Sequence, residues 1–232
     1  EFPYPPAPQV LEAIRVEATE SVRRYPNPTS QLLREALAET CGLAPSNIFV
    51  GNGSDEILRL LVQGYLDRGE TMAVVDPTYS LYPVLAEMFD GRISSHPVDS
   101  YGHLPQGLFA NAPSMFMIAN PNPPIGTQFE QADIKRLAKK HEKSLLVIDE
   151  AYVAFARQDC LPLVREHANV VISRTFSKSH GMAGMRVGYV AAHTAVIETL
   201  DKIRDSYNVN RVSQAAALAA VKAVDYYTEK CR

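Results

Sequence analysis

The sequence predicts an α/β protein of three layers, α/β/α, built on a mainly parallel sheet. Two observations predict it. Runs such as Met72-Ala73-Val74-Val75, Leu145-Leu146-Val147-Ile148 and Val170-Val171-Ile172 are apolar throughout, as strands buried on both faces are. These runs alternate with helix-length segments, the pattern of a parallel sheet covered on both sides.

The elements follow in order. Residues 1–6 are proline-rich and read as an extended arm, because proline fixes φ and removes a donor. Val10, Ile14 and Ala18 recur at helical spacing and predict a helix over 9–22. Tyr25-Pro26-Asn27-Pro28 breaks it; Thr29 or Ser30 caps the next helix, 31–40, whose end Gly42 marks. A strand over 47–50 leads through Gly51-Asn52-Gly53-Ser54-Asp55-Glu56 into an apolar helix over 57–66. Strand 71–76 turns at Pro77-Thr78-Tyr79 into a helix reaching Phe89, and a weakly alternating strand covers 92–98. After a loop over 99–112, strand 114–119 ends in Asn120-Pro121-Asn122-Pro123-Pro124-Ile125-Gly126, which neither a helix nor an inner strand can hold. Helix 130–140 precedes strand 145–148, which ends at Asp149-Glu150-Ala151-Tyr152. Strand 169–173, a lysine-bearing loop, strand 187–192 and helices over 194–204 and 212–226 complete the chain.

The totals bound the function class. A length of 232 residues suits one large domain or one and a half. Hydrophobic content of 46% and charged content of 21% are ordinary for a soluble globular enzyme and suffice for a sizeable core. A net charge of −3 without a basic block argues against nucleic acid as a partner. No apolar run approaches the roughly 18 residues of a membrane span, so no membrane partner is expected. The opening residues lack the basic and apolar regions of a signal peptide. Cys41, Cys160 and Cys231 lie far apart without metal spacing, so a cytoplasmic protein with reduced thiols and no metal is expected. The first residue is not Met and the end carries no stop signal; the expectation is a piece of a longer protein.

In open α/β sheets ligands collect at the C-terminal ends of the strands. Gly53, Tyr79, Asn122, Asp149, Tyr152 and Lys178 all fall just after predicted strands. Lys178 stands in a loop of small and hydroxyl residues, and a half-buried lysine amine can attack an aldehyde to form a Schiff base. Thr175, Ser177 and Arg186 can together hold one phosphate, the arginine by a charge-assisted fork. An aldehyde that carries its own phosphate is pyridoxal phosphate. A surface lysine beside a structural arginine is the ordinary alternative. The glycine turn before helix 57–66 points free N–H groups and a helix dipole at an anion, while simple capping by Ser54 and Asp55 accounts for the same residues. A dinucleotide fingerprint lacks its third glycine, since Glu56 stands there.

Asp149 ends an apolar strand, where a carboxylate is costly unless it meets a cation or a donor. Facing a pyridine nitrogen, it would keep that nitrogen protonated and the ring electron-withdrawing; a helix cap or an ion pair would satisfy it equally. A metal shared by Asp149 and Glu150 is disfavoured, because strand neighbours point oppositely. Tyr152 can donate to the ring's phenolic oxygen and Tyr79 can stack on its face, although each alone reads as a packed tyrosine.

Taken together, the segments 51–56, 77–79, 120–126, 149–152 and Ser177-Lys178 through Arg186 resemble the class I/II aminotransferases of the fold type I pyridoxal phosphate enzymes. The resemblance runs from Tyr4 to about Tyr226. It implies residues 1–30 as an N-terminal arm with the first helix, and residues 31–232 as a pyridoxal 5'-phosphate-binding large domain. It also implies a C-terminal small domain, absent from this sequence, whose arginine grips the substrate carboxylate; the piece alone is then expected to bind cofactor and turn over poorly. By the same resemblance Lys178 forms the Schiff base, Asp149 pairs with the pyridine nitrogen and Tyr152 touches the phenolic oxygen. Ser54 and Asp55 offer backbone N–H groups to the phosphate, joined by Thr175, Ser177 and Arg186, and Tyr79 stacks on the ring. Tyr25 reaches the cofactor phosphate of a neighbouring subunit, which implies a homodimer, and Tyr4 is a substrate-side residue of the arm.

Within the family the wording is most similar to members that act on histidinol phosphate, which implies its transamination with 2-oxoglutarate, a small-molecule amino donor and 2-oxo acid, in histidine biosynthesis. An aromatic aminotransferase, an amino-acid-phosphate decarboxylase on the same frame and a non-catalytic cofactor-binding domain are the alternatives. The sequence departs from the family at Pro123, where an asparagine usually bonds the phenolic oxygen; either Asn122 substitutes or that hydrogen bond is missing. His180-Gly181-Met182 also replaces more usual residues.

Overall fold

The computed structural model describes residues 2–99 and 102–231, so Ser100 and Tyr101 of the predicted loop, and Glu1 of the arm, lie outside the described residues. Among the described residues the strands are β1 (Ile48–Gly51), β2 (Thr71–Asp76), β3 (Arg92–Pro97), β4 (Met115–Ala119), β5 (Leu145–Asp149), β6 (Val170–Thr175) and β7 (Gly188–Ala192). They form one sheet in the order β1-β7-β6-β5-β4-β2-β3. β2, β3, β4, β5 and β6 pair in parallel, and β7 runs antiparallel to both its neighbours. The segment 176–187 between β6 and β7 contains no α-helix, and parallel pairing requires a crossover; the chain therefore turns straight back.

Helices cover both faces: α1 (Pro8–Glu17), α2 (Gln31–Cys41), α3 (Ser54–Tyr65), α4 (Leu81–Met88), α5 (Gln131–Lys140), α6 (Leu163–Glu166), α7 (Thr194–Ile203), α8 (Arg211–Lys222) and α9 (Val224–Lys230). Successive side chains of a strand point to opposite faces, and the core divides accordingly. Phe49, Met72, Val74, Met117, Val147 and Val171 pack with Ile57, Leu61, Tyr82, Leu85 and Leu200 from α3, α4 and α7. Val50, Val75, Ile118, Ile148 and Ile172 pack with Leu33, Leu37, Ile134, Leu137 and Ala216 from α2, α5 and α8. This is the predicted three-layer architecture. The alternation has a consequence for the site, because Asp149 lies on the α3–α4 face with Val147, and Glu150 follows Ile148 to the other.

Several boundaries differ from the sequence reading. The helix predicted over 9–22 stops at Glu17; Thr19 is extended, and its hydroxyl accepts from Ser21 N at the head of a 3-10 turn over Glu20–Arg23. Neither Thr29 nor Ser30 caps α2: Ser30 is left-handed with φ 52°, and Asn27 Oδ1 accepts from the N–H of Thr29 and of Gln31 instead. The helix predicted over 212–226 breaks at Ala223 into α8 and α9. α6, and a 3-10 turn over Gln106–Phe109, fall in predicted loops. Among the described residues no helix is long and apolar enough to cross a membrane.

Candidate active site

A cavity of about 220 Å³ opens where β1, β4, β5 and β6 end. Its walls carry Ser54, Asp55, Tyr79, Pro121, Pro123, Asp149, Tyr152, Thr175, Ser177, Lys178 and Arg186. Nine of the site residues singled out from the sequence, from four separate segments, therefore meet in one place.

One end gathers the first turn of α3, two hydroxyls and a guanidinium. Gly53 begins α3 with φ 83°, a left-handed value that glycine adopts without strain. A Cβ there would lie 2.6 Å from Arg186 Nη2. No side chain caps the first turn among the described residues, so Ser54 and Asp55 are the first helical residues and not its caps; their N–H groups have no helical acceptor. Glu56 instead folds back to accept from Asn52 N at 2.6 Å. The helix reaches the sheet because Gly188 has no side chain: a Cβ there would lie 2.8 Å from Ser54 N and 2.9 Å from the Arg174 carbonyl. Opposite the helix, Thr175 Oγ1 donates to Ser177 Oγ at 3.0 Å and accepts from Ser177 N at 3.1 Å. Arg186 Nη1 donates to Ser177 Oγ and its Nη2 to Asp55 Oδ2, both at 3.3 Å. Arg186 is itself left-handed, φ 51°, a strained value for a side-chain-bearing residue of the kind found at functional sites.

The floor carries Asp149, only 4% exposed. Its Oδ2 accepts from Tyr82 Oη at 2.9 Å and its Oδ1 from Ala151 N at 3.2 Å. Burial pushes its pKa up to about 6, against the pull of those two donors. A buried carboxyl so placed is short of a cation. Tyr79, 38% exposed, stands on the wall with its ring edge-on to Tyr82, centroids 5.7 Å apart. Burial and the neighbouring Asp55 raise the Tyr79 pKa. Lys178 Nζ lies 5.3 Å from the Tyr152 ring centroid.

Three expected residues stand elsewhere. Asn122 is fully buried, but its Nδ2 donates to the Pro77 carbonyl at 2.7 Å and it does not line this cavity. Its amide is taken by a carbonyl of the turn after β2, 45 positions away in the chain. Tyr4 is 46% exposed on the arm, whose backbone crosses Gly181, and lies against Phe2. Tyr25 is 76% exposed and stacked on Tyr207 at 4.3 Å. Neither lines the cavity. Tyr82 was not singled out from the sequence, although its spacing of three from Tyr79 at the start of a predicted helix puts both on one helical face.

The far face of the sheet holds a second charged group. Glu150, 1% exposed, accepts from Arg174 Nε at 2.8 Å and from Cys160 N at 2.5 Å. Arg174 also donates to Asp159 Oδ2 at 2.9 Å. The pair joins the residue after Asp149 to the residue before Thr175.

Comparison with known proteins gives the family and the fold. Residues 1–231 match the family described as aminotransferase class I and II. The histidinol-phosphate aminotransferase of Citrifermentans bemidjiense is 45% identical over 100% of this chain and 66% of its own length. That of Geotalea uraniireducens is 44% identical over 99% of this chain, again 66% of its own length. The chain thus spans about two thirds of the length of these relatives. The crystal structure of histidinol-phosphate aminotransferase from Sinorhizobium meliloti in complex with pyridoxal-5'-phosphate superposes with a TM-score of 0.93 at 31% identity, covering 100% of this chain and 65% of that one. L-threonine-O-3-phosphate decarboxylase from Porphyromonas gingivalis shares the fold at 24% identity, with a TM-score of 0.83 over 94% of this chain and 66% of that one.

Proposed function

The chain belongs to the class I and II aminotransferase family, and on that premise we propose that it transfers the amino group of histidinol phosphate to 2-oxoglutarate with pyridoxal phosphate bound in the cavity at Lys178. The observation that carries this is the meeting, in one cavity, of an amine, a buried carboxyl in need of a cation and an anion cradle. These groups fit pyridoxal phosphate. The first-turn N–H groups of α3, the hydroxyls of Thr175 and Ser177 and the Arg186 guanidinium suit a phosphate. Asp149 suits a protonated ring nitrogen, Tyr152 a phenolic oxygen and Tyr79 a flat ring face. Residues 31–232 would then be the cofactor-binding domain and residues 1–30 its arm.

Pyridoxal phosphate, when bound, supplies an aldehyde for amines and a ring that withdraws electrons from the carbon bearing the substrate nitrogen. The chain's own residues do the rest. Lys178 would hold the cofactor through its amine and, once free, would serve as the general base that takes the proton from the substrate carbon. Asp149 keeps positive charge on the ring nitrogen. Tyr79 covers one ring face and excludes water from it. Asn122 is committed to Pro77, so Tyr152 is the side-chain donor left for the phenolic oxygen. Arg186, held by Ser177 and Asp55, would supply the guanidinium to the phosphate.

The relatives' names support histidinol phosphate as donor, and with it a cytoplasmic role in histidine biosynthesis. A donor panel checks this: with 2-oxoglutarate present, histidinol phosphate should yield glutamate faster than phenylalanine or tyrosine does. Carbon dioxide release from an amino-acid phosphate would indicate a decarboxylase instead. We place Tyr25 at the cofactor phosphate of a second copy in a homodimer, which its 76% exposure away from its own cavity supports.

The cost of Asp149 gives a further expected result. In the folded chain its pKa stands at about 6 against an ordinary 3.8, so the native state binds this proton more tightly than the unfolded state. Its contribution is most favourable below about pH 4 and is lost as pH rises through about 6. Asp149→Asn removes the buried charge. The cofactor-free variant should therefore be more stable than the parent by about 2–3 kcal/mol at pH 8, with the gap closing near pH 4. Urea unfolding at the two pH values reads it; an equal difference at both would contradict the argument.

A further inference from the structure

We infer that Tyr82 is a positioning residue for the proposed reaction, its phenol holding the Asp149 carboxyl in the anionic form and aiming it at the ring nitrogen of the cofactor. The inference rests on the functional reading above and assigns a role to a residue outside the cavity wall.

Tyr82 is fully buried, 0% exposed, in the first turn of α4. Its Oη donates to Asp149 Oδ2 at 2.9 Å, and it is the only side chain among the described residues that hydrogen-bonds this carboxyl. A phenol buried this deeply keeps its proton: burial, and then the negative charge of Asp149, raise its pKa well above the ordinary value. It can therefore only donate its proton to Asp149, never compete for one. A donor to the charged form lowers a carboxyl pKa, and desolvation raises it; both act on Asp149, and Tyr82 is the largest influence opposing burial. The other groups that face Asp149 are the Ala151 N–H on its own segment, Asp55 from α3, which favours the protonated form, and Lys178 from the loop after β6, which favours the charged form. Among the described residues none of these is another side chain hydrogen-bonded to it. The bond also fixes direction. With Oδ2 tied to Tyr82 and Oδ1 to Ala151 N, rotation about the Cβ–Cγ bond would break both. Tyr82 itself cannot swing, because it is packed among the α3–α4 core residues.

The test compares the chain with Tyr82→Phe, which keeps the packed ring and deletes the hydroxyl. In the cofactor-free protein, the Asp149 carboxyl is followed by carbon NMR and assigned with Asp149→Asn. Its midpoint should rise by about one pH unit in the Phe variant, a tenfold tighter proton. Pyridoxal phosphate affinity, read by visible absorbance, should fall almost tenfold at pH 5, below both midpoints, and the loss should shrink at pH 9, where Asp149 is ionised in both proteins. An unchanged midpoint, or an affinity loss equal at both pH values, overturns the role. If the Phe variant does not fold, site-specific 3-fluorotyrosine at position 82 keeps the shape and strengthens the donor. The midpoint should then move down, and no movement overturns the role. Failure of the parent chain to bind pyridoxal phosphate at any pH would sink the cofactor reading, and with it the role of Tyr82 toward the ring; the NMR midpoint still tells that failure apart from failure of the Tyr82–Asp149 link.

Discussion

Replacing Lys178 with alanine should abolish covalent capture of pyridoxal phosphate and reduce amine transfer by at least about 10²–10⁴-fold, the range general acid–base catalysis supplies. The amine has two duties in the proposed chemistry, covalent hold and proton transfer, and alanine has neither. The anion cradle does not include the lysine side chain: the first turn of α3, Thr175, Ser177 and Arg186 remain. Non-covalent binding should therefore persist. The variant would bind the cofactor, lose it on dialysis and show no mass increment after borohydride treatment. A Lys178→Ala variant that still transferred amine at the parental rate would remove Lys178 from the mechanism.

Arg174→Ala should cost about 3–5 kcal/mol of stability, the usual consequence of leaving one partner of a buried pair alone. Arg174 is the side-chain partner of Glu150 on the far face of the sheet, and Glu150 is 1% exposed. Without it Glu150 stays buried as a charge or takes up a proton, and both are expensive. The damage should reach the cavity, because Glu150 and Arg174 adjoin Asp149 and Thr175 on paired strands. The double variant Arg174→Met with Glu150→Leu should recover much of the loss, since similar-volume apolar pairs can replace a buried ion pair. Urea unfolding midpoints check both; a single variant as stable as the parent would mean the pair is solvated in solution.

Much of this arrangement was legible because strand ends are legible. An apolar run that terminates in a charge, Val147-Ile148-Asp149, states both its burial and its direction, and the alternation along a strand separates Asp149 from Glu150. The glycine turn at Gly51–Gly53 was legible as an anion site or a cap, and the backbone removes the cap: Gly53 φ is positive and no side chain among the described residues caps the helix. What escaped depends on partners distant in sequence or on backbone competition. Tyr82 meets Asp149 across 67 positions, and no local pattern announces that. Asn122 stood at the right place in the chain, but the Pro77 carbonyl took its amide. The cap at α2 was misplaced because Asn27 reaches over Pro28 to two N–H groups at once. The division between α8 and α9 falls at alanine, the best helix former, so composition gave no sign of it. Reversal of β7 likewise depends on what the intervening loop lacks.

The central claim is that Lys178 is the amine that captures pyridoxal phosphate in a cavity shared with Asp149. The most direct measurement is visible absorbance of the folded chain titrated with pyridoxal phosphate, followed by borohydride reduction and peptide mass mapping. The account predicts a saturable band and one reduced pyridoxyl increment, on the peptide containing Lys178 and not on any other lysine. A folded protein that shows no band at saturating cofactor, or that carries the increment at random surface lysines, would contradict it.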